Sequence, residues 1–166
     1  MLAFEVPDLH KIFASQSAGT IGGVLATNAS GPRRLTAGAA RDYLLGFDGI
    51  SGRGERFKSG GKVMKNVTGY DLSKLMCGSF GTLGVMDEIT FKTLPAPETS
   101  CSLLVGADDF AGAVTLIARV FASPHEPDAS AILPAAIAGE EGVDSGSPFT
   151  AVIRLEGIEA SVRDRL

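Results

Sequence analysis

A chain of 166 residues that is 45% hydrophobic, only 20% charged and of mean hydropathy +0.20 can bury one good core or two small ones. A formal charge of −4 and a pI near 5.1 argue against nucleic acid, whose displaced counterions require a basic field. Cys77 and Cys101 are too few for a disulfide framework, no Cys/His cluster suits zinc, and no segment approaches transmembrane length; with an acidic, proline-containing start instead of a signal peptide, a cytoplasmic protein is expected.

In chain order, the first periodic stretch is Thr20–Thr27, where Ile21, Val24 and Leu25 fall at helical spacing behind a Gly-Thr start, predicting a short helix. Asp42 to Ile50 and Glu55 to Lys58 read as two strands joined by the turn Gly52-Arg-Gly54. A short helix from about Asp71 to Met76 is capped by Asp71 and stopped by Gly78. Val85 to Leu94 alternates Ile89 and Phe91 with polar neighbours, the pattern of a half-buried strand. Pro95-Ala-Pro97 cannot donate to a ladder and marks a domain boundary. Beyond it the pattern predicts a strand over Ser100–Val105, an amphipathic helix over Asp108–Phe121 and a strand over Ala129–Leu133. A loop over Gly139–Ser147, a strand over Phe149–Leu155 and the shortened start of a helix over Ile158–Leu166 complete it. This β-α-β-β order suits an α+β sandwich.

Three glycine-rich turns interrupt the apolar segments: Gly19-Thr-Ile-Gly-Gly-Val-Leu-Ala-Thr-Asn-Ala-Ser-Gly31, a second from Ser59 to Asp71, and Gly78-Ser-Phe-Gly-Thr-Leu-Gly-Val85. A glycine has no side chain to hold a ligand away, so main-chain N–H groups there approach a phosphate or a flat ring closely. Two familiar phosphate motifs fail. Gly61-Lys62 is followed by Val63 and Arg56 stands where a P-loop needs its first glycine, while Gly52-x-Gly54 is followed by Phe57 where the dinucleotide fingerprint needs its third. Lys58, Lys62 and Lys65 make a basic cluster for an anion or, more commonly, a solvated face. Arg33 and Arg34 are placed to meet a carboxylate or simply to be solvated. His10 and His125 stand alone and suggest neither a metal site nor a general base, and Cys77, after a short apolar helix, reads as a small buried hydrophobe.

Together these turns resemble the second half of the FAD-binding domain of the vanillyl-alcohol oxidase type flavoproteins. The residues that carry the likeness are Met1-Leu-Ala-Phe-Glu-Val-Pro-Asp8, Gly31-Pro-Arg-Arg34, Ala40-Arg-Asp-Tyr-Leu-Leu-Gly46, the run from Gly60 through Gly69-Tyr70-Asp71 to Met76, and Gly81-Thr-Leu-Gly84. Within that superfamily the wording is most similar to the FAD-binding subunit of bacterial glycolate oxidases. The likeness is dense over residues 1–95 and thins beyond Pro97. It implies an α+β fold, with the second subdomain of a PCMH-type FAD-binding domain at 1–95 and a partial α/β-sandwich cap domain at 98–166. It also implies an internal piece of a longer flavoprotein, lacking the N-terminal FAD subdomain and most of the cap.

Carried over by motif match, the FAD contacts are Gly19, Thr20, Gly22, Gly23, Thr27, Asn28, Ala29 and Ser30 beside the flavin and its phosphate arm. Gly81, Thr82, Leu83, Gly84 and Val85 follow, through their backbone, against the adenosine end. Asn66 and Tyr70 are read as holding their loop in place. The implied activity is oxidation of glycolate to glyoxylate by a complex with a second flavin subunit and an iron–sulfur subunit, in the cytoplasm or at the inner face of the membrane through those partners. No catalytic or metal residue is assigned, the histidine-rich motif of related 2-hydroxy acid dehydrogenases is missing, and the chain alone is expected to be silent. Two alternatives stand beside this: a folded, self-associating piece that binds no flavin, and another FAD-linked 2-hydroxy acid dehydrogenase acting on D-lactate or 2-hydroxyglutarate.

Overall fold

Residues 1–10, 14–16, 19–64 and 69–166 are described by the computed structural model, and they divide into two units, Met1–Leu94 and Pro95–Leu166. In the first, helix α1 (Ile21–Thr27), the single turns α2 (Arg34–Ala37) and α3 (Ala40–Tyr43), strands β1 (Leu44–Ser51) and β2 (Arg56–Gly60), helix α4 (Leu72–Met76) and strand β3 (Gly84–Phe91) follow in order. The three strands form one antiparallel sheet in the order β2-β1-β3, with β1 central.

The expected strand from Asp42 begins two residues later. Asp42 Oδ2 accepts the Ala39 N–H at 2.9 Å, which closes a turn of helix over Ala40–Tyr43 before the chain extends. The extended segment succeeds where it does because Leu44 and Phe47 are buried against the core. Cross-strand charge pairs line one face: Lys58 Nζ meets Asp48 Oδ2 at 3.0 Å, and Arg56 reaches over β1 to Asp87 at 2.7 Å. The first residues of the chain enter the core. Phe4 is fully buried, its ring 5.6 Å from that of Tyr43 and 5.8 Å from that of Phe91, beside Leu25, Ala40, Leu44 and Cys77. Tyr43 satisfies its hydroxyl by donating to Ala37 O at 2.6 Å.

The second unit runs β4 (Thr99–Ala107), α5 (Phe110–Phe121), β5 (Ala129–Pro134), α6 (Ala135–Glu140), β6 (Phe149–Gly157) and α7 (Glu159–Arg165). Its sheet is antiparallel in the order β4-β6-β5. β6 is central and alternates: Ala151, Ile153 and Leu155 are buried on the face that α5 covers. Asp109 caps α5 by accepting the Gly112 N–H. Helix α6 falls where the sequence predicts no element. It starts directly after Pro134, which fixes an extended entry, and its small residues bury Ala138, a pattern too short to show helical periodicity. Arg165, in the last turn of α7, donates to the carbonyls of Glu156, Glu126 and His125 at 2.6, 3.0 and 3.4 Å, tying that helix to β6 and to the loop before β5.

Candidate functional site

Gly19 has φ +85° and nothing within 4 Å of where a Cβ would stand, so the turn into α1 presents bare backbone. Thr20 then caps the helix, its hydroxyl accepting the Gly23 N–H at 3.1 Å. Gly19, Thr20, Gly23, Thr27 and Ala29 line one cleft of about 220 Å³, with Pro7, Leu9, His10 and Ser15 as its other wall. That wall is what the motif reading missed. The Met1–Asp8 wording hinted at it, but only the fold brings the N-terminal segment beside α1. There His10 Nδ1 lies 2.6 Å from Asp8 Oδ1.

The polar side chains at the far end of α1 bond to nearby backbone. Thr27 donates to Gly23 O at 2.8 Å. Asn28 takes the left-handed conformation that ends the helix, φ +52°, and its Oδ1 accepts the Arg41 N–H at 3.0 Å and the Cys77 thiol at 3.5 Å. Ser30 Oγ accepts the Ala40 N–H at 2.9 Å. The side-chain groups of Thr27, Asn28 and Ser30 thus hold the turn. Burial pushes the Cys77 thiol above its ordinary value, opposed by the Arg41 guanidinium and assisted by the Asp42 carboxylate.

The Gly78–Val85 turn docks on this same end of α1. Gly78 N–H donates to Leu25 O at 2.9 Å and Phe80 N–H to Ala26 O at 2.7 Å. Within the turn, Thr82 bonds Ser79 O through both its amide, at 3.0 Å, and its hydroxyl, at 2.7 Å. Gly81 has φ +75° and open space on its Cβ side, and the buried Ser79 Oγ beside it has no hydrogen-bond partner. Phe80, Leu83 and Val85 are exposed. Gly84 acts through packing instead. At φ +156° a Cβ there would stand 2.6 Å from Ile50 O, so glycine permits β3 to lie against β1. The two bare glycines, Gly19 and Gly81, flank opposite ends of a seven-residue helix, roughly 10 Å long at 1.5 Å per residue.

The middle turn lies elsewhere in the first unit. Gly60, Val63, Met64, Gly69, Tyr70, Asp71 and Lys74 line a polar cleft of about 220 Å³. Tyr70 is 94% exposed, so it packs nothing into place; Asp71, capping α4 through the Lys74 N–H, is the residue that fixes the loop's exit. Lys65 and Asn66 lie outside the described residues. Lys58 does not serve an open cluster, since its hydrogen bond to Asp48 holds its ammonium above the usual lysine value. Among the described residues no group of three or more His, Cys, Asp or Glu side chains suits a metal ion, and no helix is long and apolar enough to cross a membrane.

Known proteins are similar to this sequence. The chain is 54% identical over 84 residues, 51% of its length, to glycolate oxidase subunit GlcE of Escherichia coli, and covers 24% of that protein. It is 37% identical over 114 residues to glycolate oxidase subunit GlcD of Bacillus subtilis, covering 69% of this chain and 24% of the relative. An uncharacterized FAD-linked oxidoreductase of Mycobacterium tuberculosis is 31% identical over 157 residues, covering 95% of this chain and 32% of its own. No family model matches. Among solved structures, alkyldihydroxyacetonephosphate synthase shares the fold with a TM-score of 0.68 at 20% identity, over 89% of this chain and 30% of that one. The chain spans about a quarter to a third of the length of these relatives, and it is homologous to segments of glycolate oxidase subunits and of an FAD-linked oxidoreductase.

Proposed function

We propose that this chain supplies one side of an FAD site in an oxidoreductase of small 2-hydroxy acids, with glycolate as substrate and glyoxylate as product. The observation that carries the reading is the pair of bare, left-handed glycines, Gly19 and Gly81, at opposite ends of α1. An extended dinucleotide fits such a surface: open backbone at two stations, with the exposed side chains of Phe80, Leu83 and Val85 beside the second. Gly19, Thr20, Gly22, Gly23, Thr27 and Ala29 would hold the flavin side, with Asn28 and Ser30 bracing the turn behind them. Gly81, Thr82, Leu83 and Val85 would hold the adenosine side, with Gly84 anchoring that turn to β1. Bound FAD would supply the hydride acceptor, and the chain's own part is to bind it, orient it and cover its apolar edge.

On this reading residues 1–95 are the second part of a PCMH-type FAD-binding domain and 98–166 part of a cap. The working enzyme would be a complex with a second flavin subunit and an iron–sulfur subunit, and this chain alone would not turn over substrate. The 54% identity to a glycolate oxidase subunit favours glycolate. D-lactate is the second reading, supported by 37% identity over 123 residues to the D-lactate dehydrogenase of Anaerostipes hadrus.

The test is an absorbance spectrum of the purified chain from about 300 to 550 nm after FAD is added and free cofactor removed, since bound oxidised flavin absorbs there. Retained flavin, lost in Gly81→Val, is the expected result. A colourless protein, with no quenching of flavin fluorescence at any FAD concentration, overturns the reading. A panel of glycolate, D-lactate and 2-hydroxyglutarate given to the full complex then separates the substrates.

A further inference from the structure

Glu5 holds the left-handed backbone conformation, φ +52°, without being a glycine, which costs free energy and persists only where surrounding contacts fix it. The kink separates two environments. Before it, Phe4 is fully buried in the core of the first unit; after it, Pro7, Leu9 and His10 form one wall of the cleft whose other wall includes Thr20, Gly23 and Ala29. That second wall runs on through Ser30 into Gly31, and there the two walls are fastened. Gly31 N–H donates to Phe4 O at 2.9 Å and to Glu5 O at 3.0 Å, and Arg33 N–H donates to Glu5 Oε2 at 3.0 Å. A Cβ on Gly31 would stand 2.8 Å from Glu5 Cβ, so glycine is what lets the two segments approach this closely. Glu5 and Gly31 are both half-buried, and the Arg33 guanidinium extends the contact to Met1 Sδ at 3.7 Å.

We propose that Glu5 is a positioning residue: its kinked backbone and its carboxylate clasp the turn from Gly31 to Arg33 and so set the width of the cleft between Pro7–His10 and α1. This role rests on the reading that the cleft takes the flavin side of FAD. Both properties of Glu5 are needed. A glycine at this position would make the kink at lower cost but bring no acceptor to the Arg33 N–H, whereas a residue in extended conformation would carry its carboxylate away from Arg33.

The turn that Glu5 holds is already tied on its far side, since Ser30 Oγ accepts the Ala40 N–H and Asn28 Oδ1 accepts the Arg41 N–H. A displacement at Gly31 is therefore passed back along the chain to Ala29 on the cleft wall. Width matters to a flat ring because dispersion contacts fall off steeply: a gap of about 0.5–1 Å forfeits roughly a quarter to a half of the attraction of each contact. Glu5 thus acts through the spacing of the walls and not by touching the cofactor.

Two readouts test this on the whole chain. Spin labels on Asp8→Cys and Ile21→Cys, both exposed positions, with Cys77 and Cys101 changed to Ala, report the distance across the cleft by pulsed EPR. Glu5→Gln, which keeps an acceptor oxygen, should leave that distance unchanged. Glu5→Ala and Gly31→Ala should lengthen and broaden it while circular dichroism is retained. The second readout is binding of FAD, of riboflavin for the flavin side alone and of ADP for the adenosine side alone. Glu5→Ala should raise the dissociation constants of FAD and riboflavin about tenfold and leave that of ADP unchanged, and Glu5→Gln should restore the native values. A distance indifferent to both Glu5→Ala and Gly31→Ala overturns the proposal, as does equal weakening of riboflavin and ADP, or a Glu5→Gln as damaged as Glu5→Ala. A native chain that binds no flavin would remove the flavin reading and leave the distances to decide whether Glu5 sets the cleft.

Discussion

Asn28 shows how one residue braces a turn. Its backbone ends α1 in the left-handed region, and its Oδ1 accepts an amide at the start of the neighbouring turn, Arg41 N–H. Asn28→Ala removes that acceptor and leaves a Cβ-bearing residue at φ +52° without its local hydrogen bonds. The expected loss is about 2 kcal/mol in urea unfolding, while Asn28→Asp, which keeps the acceptor, should lose far less. Cys77 gives a pH signature. Because burial raises its folded-state value, the stabilisation it confers is complete below the ordinary thiol value of 9.0 and fades as pH climbs through and beyond it. Stability of the native chain should therefore fall between about pH 8 and 10 more steeply than that of Cys77→Ala. The sequence foresaw a buried Cys77, because an apolar helix ending just before it can only face a core; it did not foresee the bracing role of Asn28, whose partner lies 13 residues away.

Elements were legible where their own pattern decided them. α1, α4, α5 and the strands β3, β4 and β6 follow from periodicity and capping within a few residues. The misses were the short helices α2, α3 and α6, held by contacts from outside themselves. Two element-scale outcomes test which contacts matter. Gly84→Ala forces a Cβ against Ile50 O and should cost about 1–3 kcal/mol, because β3 must draw away from β1. Arg165→Ala removes three charge-assisted hydrogen bonds, two that tie α7 to the loop before β5 and one that ties it to Glu156 in β6. A loss of about 2 kcal/mol is expected, with amide exchange accelerated first in α7.

At the scale of the molecule, exposed apolar residues cluster in the chain's glycine-rich turns. Phe80 at 74% exposure is the clearest case, held out by the positive φ of its own backbone. Surfaces of this kind bind hydrophobic dyes and mark interaction sites. The chain is expected to enhance the fluorescence of such a dye, Phe80→Ser to lower the signal with no change in circular dichroism, and added FAD to compete with it. What the sequence determined by itself was the α+β class, the kinship with FAD-linked oxidoreductases and the order of the glycine turns, since those depend on local residue type and spacing. Only the tertiary structure decided which of those groups are open. It brought Pro7, Leu9 and His10 to one wall of the cleft and set the Asn28 and Ser30 side chains against the backbone of Arg41 and Ala40. The physical reason is that a side chain's availability depends on partners far away in sequence, and those partners are fixed only when the strands pair and the core closes.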